Sequence, residues 1–125
     1  MLRSIHFYDD NLRANQEAQA LSAGDFEGFL ALVNASGMSS SLHLQNTWSL
    51  SAPRQQAIPL ALALGQKLLE GTGAIRMHGG GFAGTVQAYV PVSAAEGFVS
   101  LLESVFGKGS CYLLKIRLSG AVRVF

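Results

Sequence analysis

Hydrophobic residues recur with helical spacing through the first part of the chain and with a period of two after Gly73. Phe26, Phe29, Leu30 and Val33 stand at i, i+3, i+4 and i+7, so they share one face of a helix. Asp25 is placed to cap that helix. An earlier helix is expected to start at Asp9 and Asp10, whose carboxylates suit a helix N-terminus. It would run through Leu12 and Leu21 to a break at Ala23-Gly24. Gly37 and the Ser39-Ser40-Ser41 run are read as the end of the second helix. Leu42 to Leu50 follows no single period and reads as a short helical turn, an extended piece, or both.

Ser51 and Pro53 suggest the start of a third helix. Ala57 to Leu64 alternates Ala with Leu, but both are strong helix formers and β-branched residues are scarce there, so a helix is expected. Pro59 must then sit near the first turn or kink the helix. Leu68 and Leu69 extend the apolar face to Gly71 and Gly73. Beyond them Ile75 and Met77 point one way and Arg76 and His78 the other. A second strand places Val86, Ala88 and Val90 opposite Thr85, Gln87 and Tyr89, and Pro91 ends it. Ser93-Ala94-Ala95-Glu96 has the form of a capping box, followed by the helical stripe Phe98, Leu101, Leu102 and Val105. After Gly107 to Gly109, the alternation of Tyr112, Leu114, Ile116 and Leu118 predicts a strand, with Cys111 an ordinary residue of it. Ser119-Gly120 could turn the chain into a short final strand, Ala121 to Phe125. Helices followed by strand–loop–strand–helix–strand predict an α+β domain, with helices packed on one face of a mainly antiparallel sheet.

The totals narrow the function. The chain has 125 residues, 49% of them hydrophobic, which suits one domain with a continuous core. A net charge of +1 and the lack of a Lys/Arg cluster argue against nucleic acid. Only 14% of residues are charged, so some surface is expected to face another domain; the same face allows self-association. No apolar stretch is long enough to span a membrane, no signal-peptide core follows Met1, and the single Cys111 leaves no internal disulfide. These features predict a cytoplasmic setting.

The strongest local signal is Gly79-Gly80-Gly81-Phe82-Ala83-Gly84, in which four of six residues are glycine. Glycine weakens a strand, so this density serves positive φ angles, or a close approach of backbone to a ligand whose charge the N–H groups can cradle. A hairpin with a flexible tip is the plainer alternative. Walker A is absent, since no Gly-Lys-Ser/Thr follows, and the dinucleotide fingerprint fails because Thr85 to Val90 has strand period.

Arg76-Met77-His78-Gly79-Gly80-Gly81-Phe82-Ala83-Gly84-Thr85-Val86 resembles the third signature motif of the galactokinases, within the superfamily of galactokinase, homoserine, mevalonate and phosphomevalonate kinases. Val90-Pro91 closes the strand as in that family. Arg3 to Leu21, the Gly24-Asp25-Phe26 step, Asn34 with Ser36, and Gly120 to Val124 extend the resemblance over essentially the whole chain. It implies a ferredoxin-like C-terminal domain of a kinase that moves the γ-phosphoryl of ATP, with Mg²⁺, to the anomeric hydroxyl of galactose. It also implies that His78, Gly79, Gly80, Gly81, Phe82, Ala83 and Gly84 lie near phosphate or substrate. Two residues depart from the motif: His78 stands for a hydroxyl residue and Ala83 for a glycine, so the sugar could differ.

The family's other parts are missing. Arg13-Ala14-Asn15 has only half of the sugar signature, no Gly-Glu-His follows, and Ser39-Ser40-Ser41 lacks the glycines of the main phosphate loop. The resemblance thus implies that the catalytic groups belong to an N-terminal kinase domain, the expected partner. The 125 residues alone are expected to be inactive and to hold neither ATP nor Mg²⁺ tightly. His6, His43 and His78 lack metal-ligand spacing. Trp48 reads either as a stacking platform for a sugar or base, or as a core residue. Arg76 faces phosphate, the other domain, or solvent. Two rival readings remain: a non-catalytic module that binds an anion or pairs with itself, and a small enzyme using His78 as acid or base.

Overall fold

In the computed structural model, residues 1–82, 84–116 and 123 are described. Four α-helices pack against a two-stranded antiparallel hairpin in the order α1 (Leu2–Ala23), α2 (Phe26–Ser39), α3 (Ala57–Leu69), β1 (Ala74–His78), β2 (Thr85–Tyr89) and α4 (Ala95–Phe106). The α+β class is as expected.

Several boundaries differ from the expectation. Helix α1 begins at Leu2, well before Asp9, with Met1 O accepting from Ser4 and Ile5. Asp10 therefore lies inside the helix, where Ser36, Arg13 and His6 engage it. Gly24 ends α1 in the left-handed region, at φ 73°. Asp25 caps α2 by accepting from the Gly28 N–H at 2.8 Å. Gly37 does not end α2. The helix continues past it into a π-helical turn, Ser40–Leu44, stopped by Gln45 at φ 54°. Gly37 is instead a contact point: a Cβ there would come within 3.0 Å of Arg76 Cβ.

Ser51 and Pro53 lie in turns, closed by Ala52 N–H to Ser49 O and Gln55 N–H to Ala52 O, and α3 starts only at Ala57. Pro59 is then its third residue, where no intrahelical acceptor is required of its missing N–H. The capping box is not formed. Ser93 sits within a 3₁₀ turn, Val92–Ala94, so Ala94 takes the cap position and no side chain caps α4. Among the described residues, 112–116 do not form the expected strand: Tyr112, Leu113, Leu114 and Ile116 are each at least 80% exposed. Cys111, just before them and outside any strand, packs on the core. Leu118 and, except for Arg123, the Ala121 to Phe125 strand lie outside the described residues.

The hairpin pairs Ala74 with Tyr89, Ile75 with Ala88, Arg76 with Gln87, Met77 with Val86 and His78 with Thr85. Its two faces carry separate apolar clusters. Ile75 joins Leu69, Phe98 and Leu102 from α3 and α4. Ala74 joins Phe29 and Val33 of α2, and Phe29 meets Tyr89 edge-on at 5.1 Å. The helices are thus divided between both faces rather than gathered on one, because strand alternation sends Ala74 and Ile75 to opposite sides. The start of the outer edge of β1 is met by a side chain: Asn34 donates to Gly73 O at 3.3 Å and accepts from the Ile75 N–H at 3.1 Å. No helix of the described residues is long and apolar enough to cross a membrane.

Helix α1 buries none of its residues fully. Its inner stripe is polar. His6 Nδ1 lies 3.0 Å from Ser39 Oγ, which lies 3.0 Å from His43 Nδ1. Asp10 accepts from Ser36 at 2.6 Å and pairs with Arg13. Burial pushes the Asp10 carboxyl up, but the bonds from Ser36 and Arg13, aided by His6 and Arg76, outweigh it and leave Asp10 below its ordinary value. Burial pushes Glu17, on the same helix, up.

A carboxylate depressed in the folded state stabilises it above the unfolded value and loses that contribution as pH falls through the folded value. Glu17, raised, works in the opposite sense and is relieved by acid. Urea unfolding of wild type and Asp10→Asn across a pH series should therefore show a constant gap near neutrality that narrows below about pH 4. Parallel profiles down to pH 2 would remove Asp10 from the seam's energetics.

Candidate functional site

The glycine loop leaves β1 at His78 and re-enters the hairpin at Thr85. Its backbone is left-handed at three described residues: Gly79 (φ 76°), Gly81 (φ 83°) and Phe82 (φ 63°). Two of these are glycines, for which the region carries no steric penalty. Phe82 is not, and such a conformation persists only where the surroundings hold it. The Phe82 N–H donates to Asn46 O at 2.6 Å, and Asn46 Nδ2 donates to Gly80 O at 3.3 Å. Asn46 is itself buried, and its Oδ1 accepts from Ser40 Oγ at 3.2 Å. The loop is therefore a turn seated on the segment that follows α2.

The residues singled out in the sequence fall into two groups. Gly79 and Gly80 face open space, with no atom within 4 Å of where a Cβ would stand. Gly81 faces inward; a Cβ there would overlap Asn46 O and lie 2.6 Å from Met77 Sδ. Gly84 folds back toward Gly81 O and His78 O, at 3.4 and 3.5 Å from its own Cβ direction. His78 and Phe82 are solvent-facing in differing degree, His78 exposed and Phe82 about half exposed. Ala83 lies outside the described residues. Gly79 and Gly80 form the tight turn at the tip, which brings the Gly81 N–H back toward the end of β1. Left-handed residues in a glycine turn can form a concave site for anionic oxygens.

Arg76 is not part of this turn. It lies against Gly37 on the α2 face, donates to Met77 O at 3.4 Å, and its charge acts on Asp10 and Glu17. Trp48 stands 40% exposed in the irregular segment before α3. His6 and His43 flank Ser39. The described residues contain no group of three or more His, Cys, Asp or Glu able to hold a metal ion. Sequence reasoning missed Asn46 and Ser40. Both lie in or beside the stretch without a period, where a single Asn or Ser gives no pattern to detect.

With this geometry in hand, the chain compares with known proteins as follows. It is similar to the galacturonokinase of Arabidopsis thaliana, with 28% identity over 106 residues, 85% of this chain. The match spans 23% of that protein's length, so the chain corresponds to less than a quarter of the curated relative. No family model and no solved structure matches.

Glycine substitutions separate the two sides of the turn. Gly81→Ala should destabilise the chain by about 1–3 kcal/mol, through both its positive φ and the clash with Asn46. Gly80→Ala, in open space and without positive φ, should change stability by less than about 0.5 kcal/mol. Urea midpoints of the two variants check this, and equal losses would mean that Gly81 does not seat the loop.

Proposed function

We propose that this chain is the C-terminal domain of an ATP-dependent sugar kinase, and that the Gly79–Gly84 turn forms the phosphate-facing edge of an active site completed by an N-terminal kinase domain. The observation that carries the proposal is the similarity to a sugar kinase across 85% of the chain. The galactokinase-like motif lies on a glycine turn whose backbone is left-handed at Gly79, Gly81 and Phe82, which supports it further. The relative's named activity and the galactokinase-like signature both favour a sugar of the galactose type. ATP would supply the γ-phosphoryl group, and Mg²⁺ would neutralise charge developing on the phosphate oxygens.

What this chain contributes is positioning. N–H dipoles fixed before the reaction need no reorganisation as charge builds on the phosphate. The described residues offer no carboxylate cluster for Mg²⁺, so metal ligands, sugar contacts and any base are assigned to the other domain. Such a kinase would work in the cytoplasm, where ATP is. The face that meets the other domain is assigned to α1, where Phe7, Tyr8 and Leu12 are each at least 60% exposed. The same residues favour a second reading, self-association of the isolated chain.

Residues 1–125 alone should show no sugar-dependent ADP release with galactose or galacturonate, since sugar and nucleotide are not held together and the positioning contribution, about 7–11 kcal/mol of barrier, is lost. Joined to the N-terminal domain, the chain should turn over, and Gly81→Val in that context should lower kcat. Robust turnover by residues 1–125 would overturn the domain reading. No turnover by the joined protein on any sugar tested would overturn the kinase reading.

A further inference from the structure

We propose that the π-helical turn Ser40–Leu44 couples α1 to the glycine turn, so that the grip of His6 on Ser39 governs how firmly Phe82 is held on Asn46. The coupling lies within this chain; only its use, as a signal that another domain covers α1, rests on the kinase reading.

Adjacent residues hold two different parts of the fold. Ser39 Oγ lies 3.0 Å from His6 Nδ1 of α1 and 3.0 Å from Nδ1 of His43, a residue of the π-helical turn itself. Ser40 Oγ donates to Asn46 Oδ1 at 3.2 Å. Asn46 then holds the glycine turn at two points. Its main-chain O accepts from the Phe82 N–H at 2.6 Å, and its Nδ2 donates to Gly80 O at 3.3 Å. Ser39, Ser40 and Asn46 are 6%, 5% and 3% exposed, so water does not replace a lost partner. His6 makes no hydrogen bond to the glycine turn among the described residues.

The element between the two ends has a discrete alternative. In the π-helical turn the Gln45 N–H reaches Ser40 O, five residues back, at 3.2 Å. An α-helical register would bond it to Ser41 O instead. That change moves everything after the turn by about 100° around the helix axis and about 1.5 Å along it. Asn46 follows Gln45 directly, and a displacement of that size exceeds the range of a hydrogen bond. Asn46 would part from Ser40, Gly80 and Phe82 together.

A π-helical turn is rare on its own account, so contacts from outside its backbone hold this one. His43 ties it to Ser39, and His6 ties Ser39 to α1. The glycine turn is as sensitive at the other end. Phe82 stands at φ 63°, a conformation that persists only where its surroundings hold it. A Cβ on Gly81 would lie 2.9 Å from Asn46 Cβ and 2.6 Å from Met77 Sδ, so the turn fits Asn46 in this one position. Both ends thus bias one two-state element, which is the physical condition for coupling between them.

The test is amide exchange of Phe82 in the 125-residue chain, read beside amides of α4, which packs with α3 in the other apolar cluster. His6→Ala should accelerate Phe82 by about 3- to 10-fold, the effect of one buried hydrogen bond, while α4 keeps its protection. His6→Asn, whose amide can still meet Ser39, should recover part of that loss. Asn46→Ala should accelerate Phe82 further, and in that background His6→Ala should add nothing, because the path is already cut. By reciprocity, Asn46→Ala should speed exchange of the Asp10 amide in α1 by a factor similar to the one His6→Ala produces at Phe82. Unchanged Phe82 exchange in His6→Ala would overturn the coupling. So would an equal acceleration across α4, no recovery in His6→Asn, or full multiplication of the two effects in the double variant. Joining the N-terminal domain should slow Phe82 exchange relative to the 125-residue chain. If it does not while His6→Ala still acts, the placement of the other domain on α1 falls and the coupling stands.

Discussion

The rest of this structure depends on how closely α2 and α3 approach strand β1 from its two sides. Ala74, Ile75 and Met77 are each no more than 3% exposed, an unusual burial for a strand in a two-stranded sheet. It is possible because each helix presents a glycine where the strand comes nearest. Gly37 lies against Arg76, and Gly65 against the Ile75 side chain. An isolated hairpin is marginal in water; here two helical layers bury it. Asn34 adds the polar part, its amide taking the place that another strand's peptide would have at Gly73 and Ile75. The groups of that edge at Gly73 and Ile75 are therefore satisfied.

Helix α1 follows different physics. It contributes little apolar burial and is held by the polar seam of His6, Asp10, Arg13, Ser36, Ser39 and His43. The Ser39 hydroxyl carries one proton, so it can donate to only one of the two imidazoles beside it. Ser36 is fully buried yet bonded to Asp10, which makes its burial tolerable. The apolar side chains of α1 are left on its outer surface, the reverse of an ordinary amphipathic helix. This inversion is why the interdomain face of the proposed enzyme is assigned there.

These two features meet at the π-helical turn. Ser39, at the end of α2, closes the seam toward α1; Ser40, the next residue, orients Asn46 under the glycine turn. A π-helical turn widens a helix and often marks a functional position. Here it lets adjacent serines serve a helix on one side and a loop on the other. The turn that carries the galactokinase-like motif is thus built into the packing of α2.

The sequence by itself determined whatever depends on neighbours along the chain. The Asp25 cap, the Gly24 break, the stripe of Phe29 and Val33, the hairpin, and left-handed glycines in its loop all follow from local sterics and period. Only the tertiary structure decided what depends on partners distant in sequence. Whether Gly37 stops a helix or admits a strand turns on Arg76, 39 positions on, and not on the residues beside it. Tyr112 to Ile116 alternates as a strand should, yet alternation supplies a face and not the sheet that face must cover. Asn46 carries no pattern at all. Its place under Gly80 and Phe82 comes from a chain path that only the packed helices define, because a hydrogen bond requires its two atoms to be brought within about 3 Å, a condition that no local periodicity encodes.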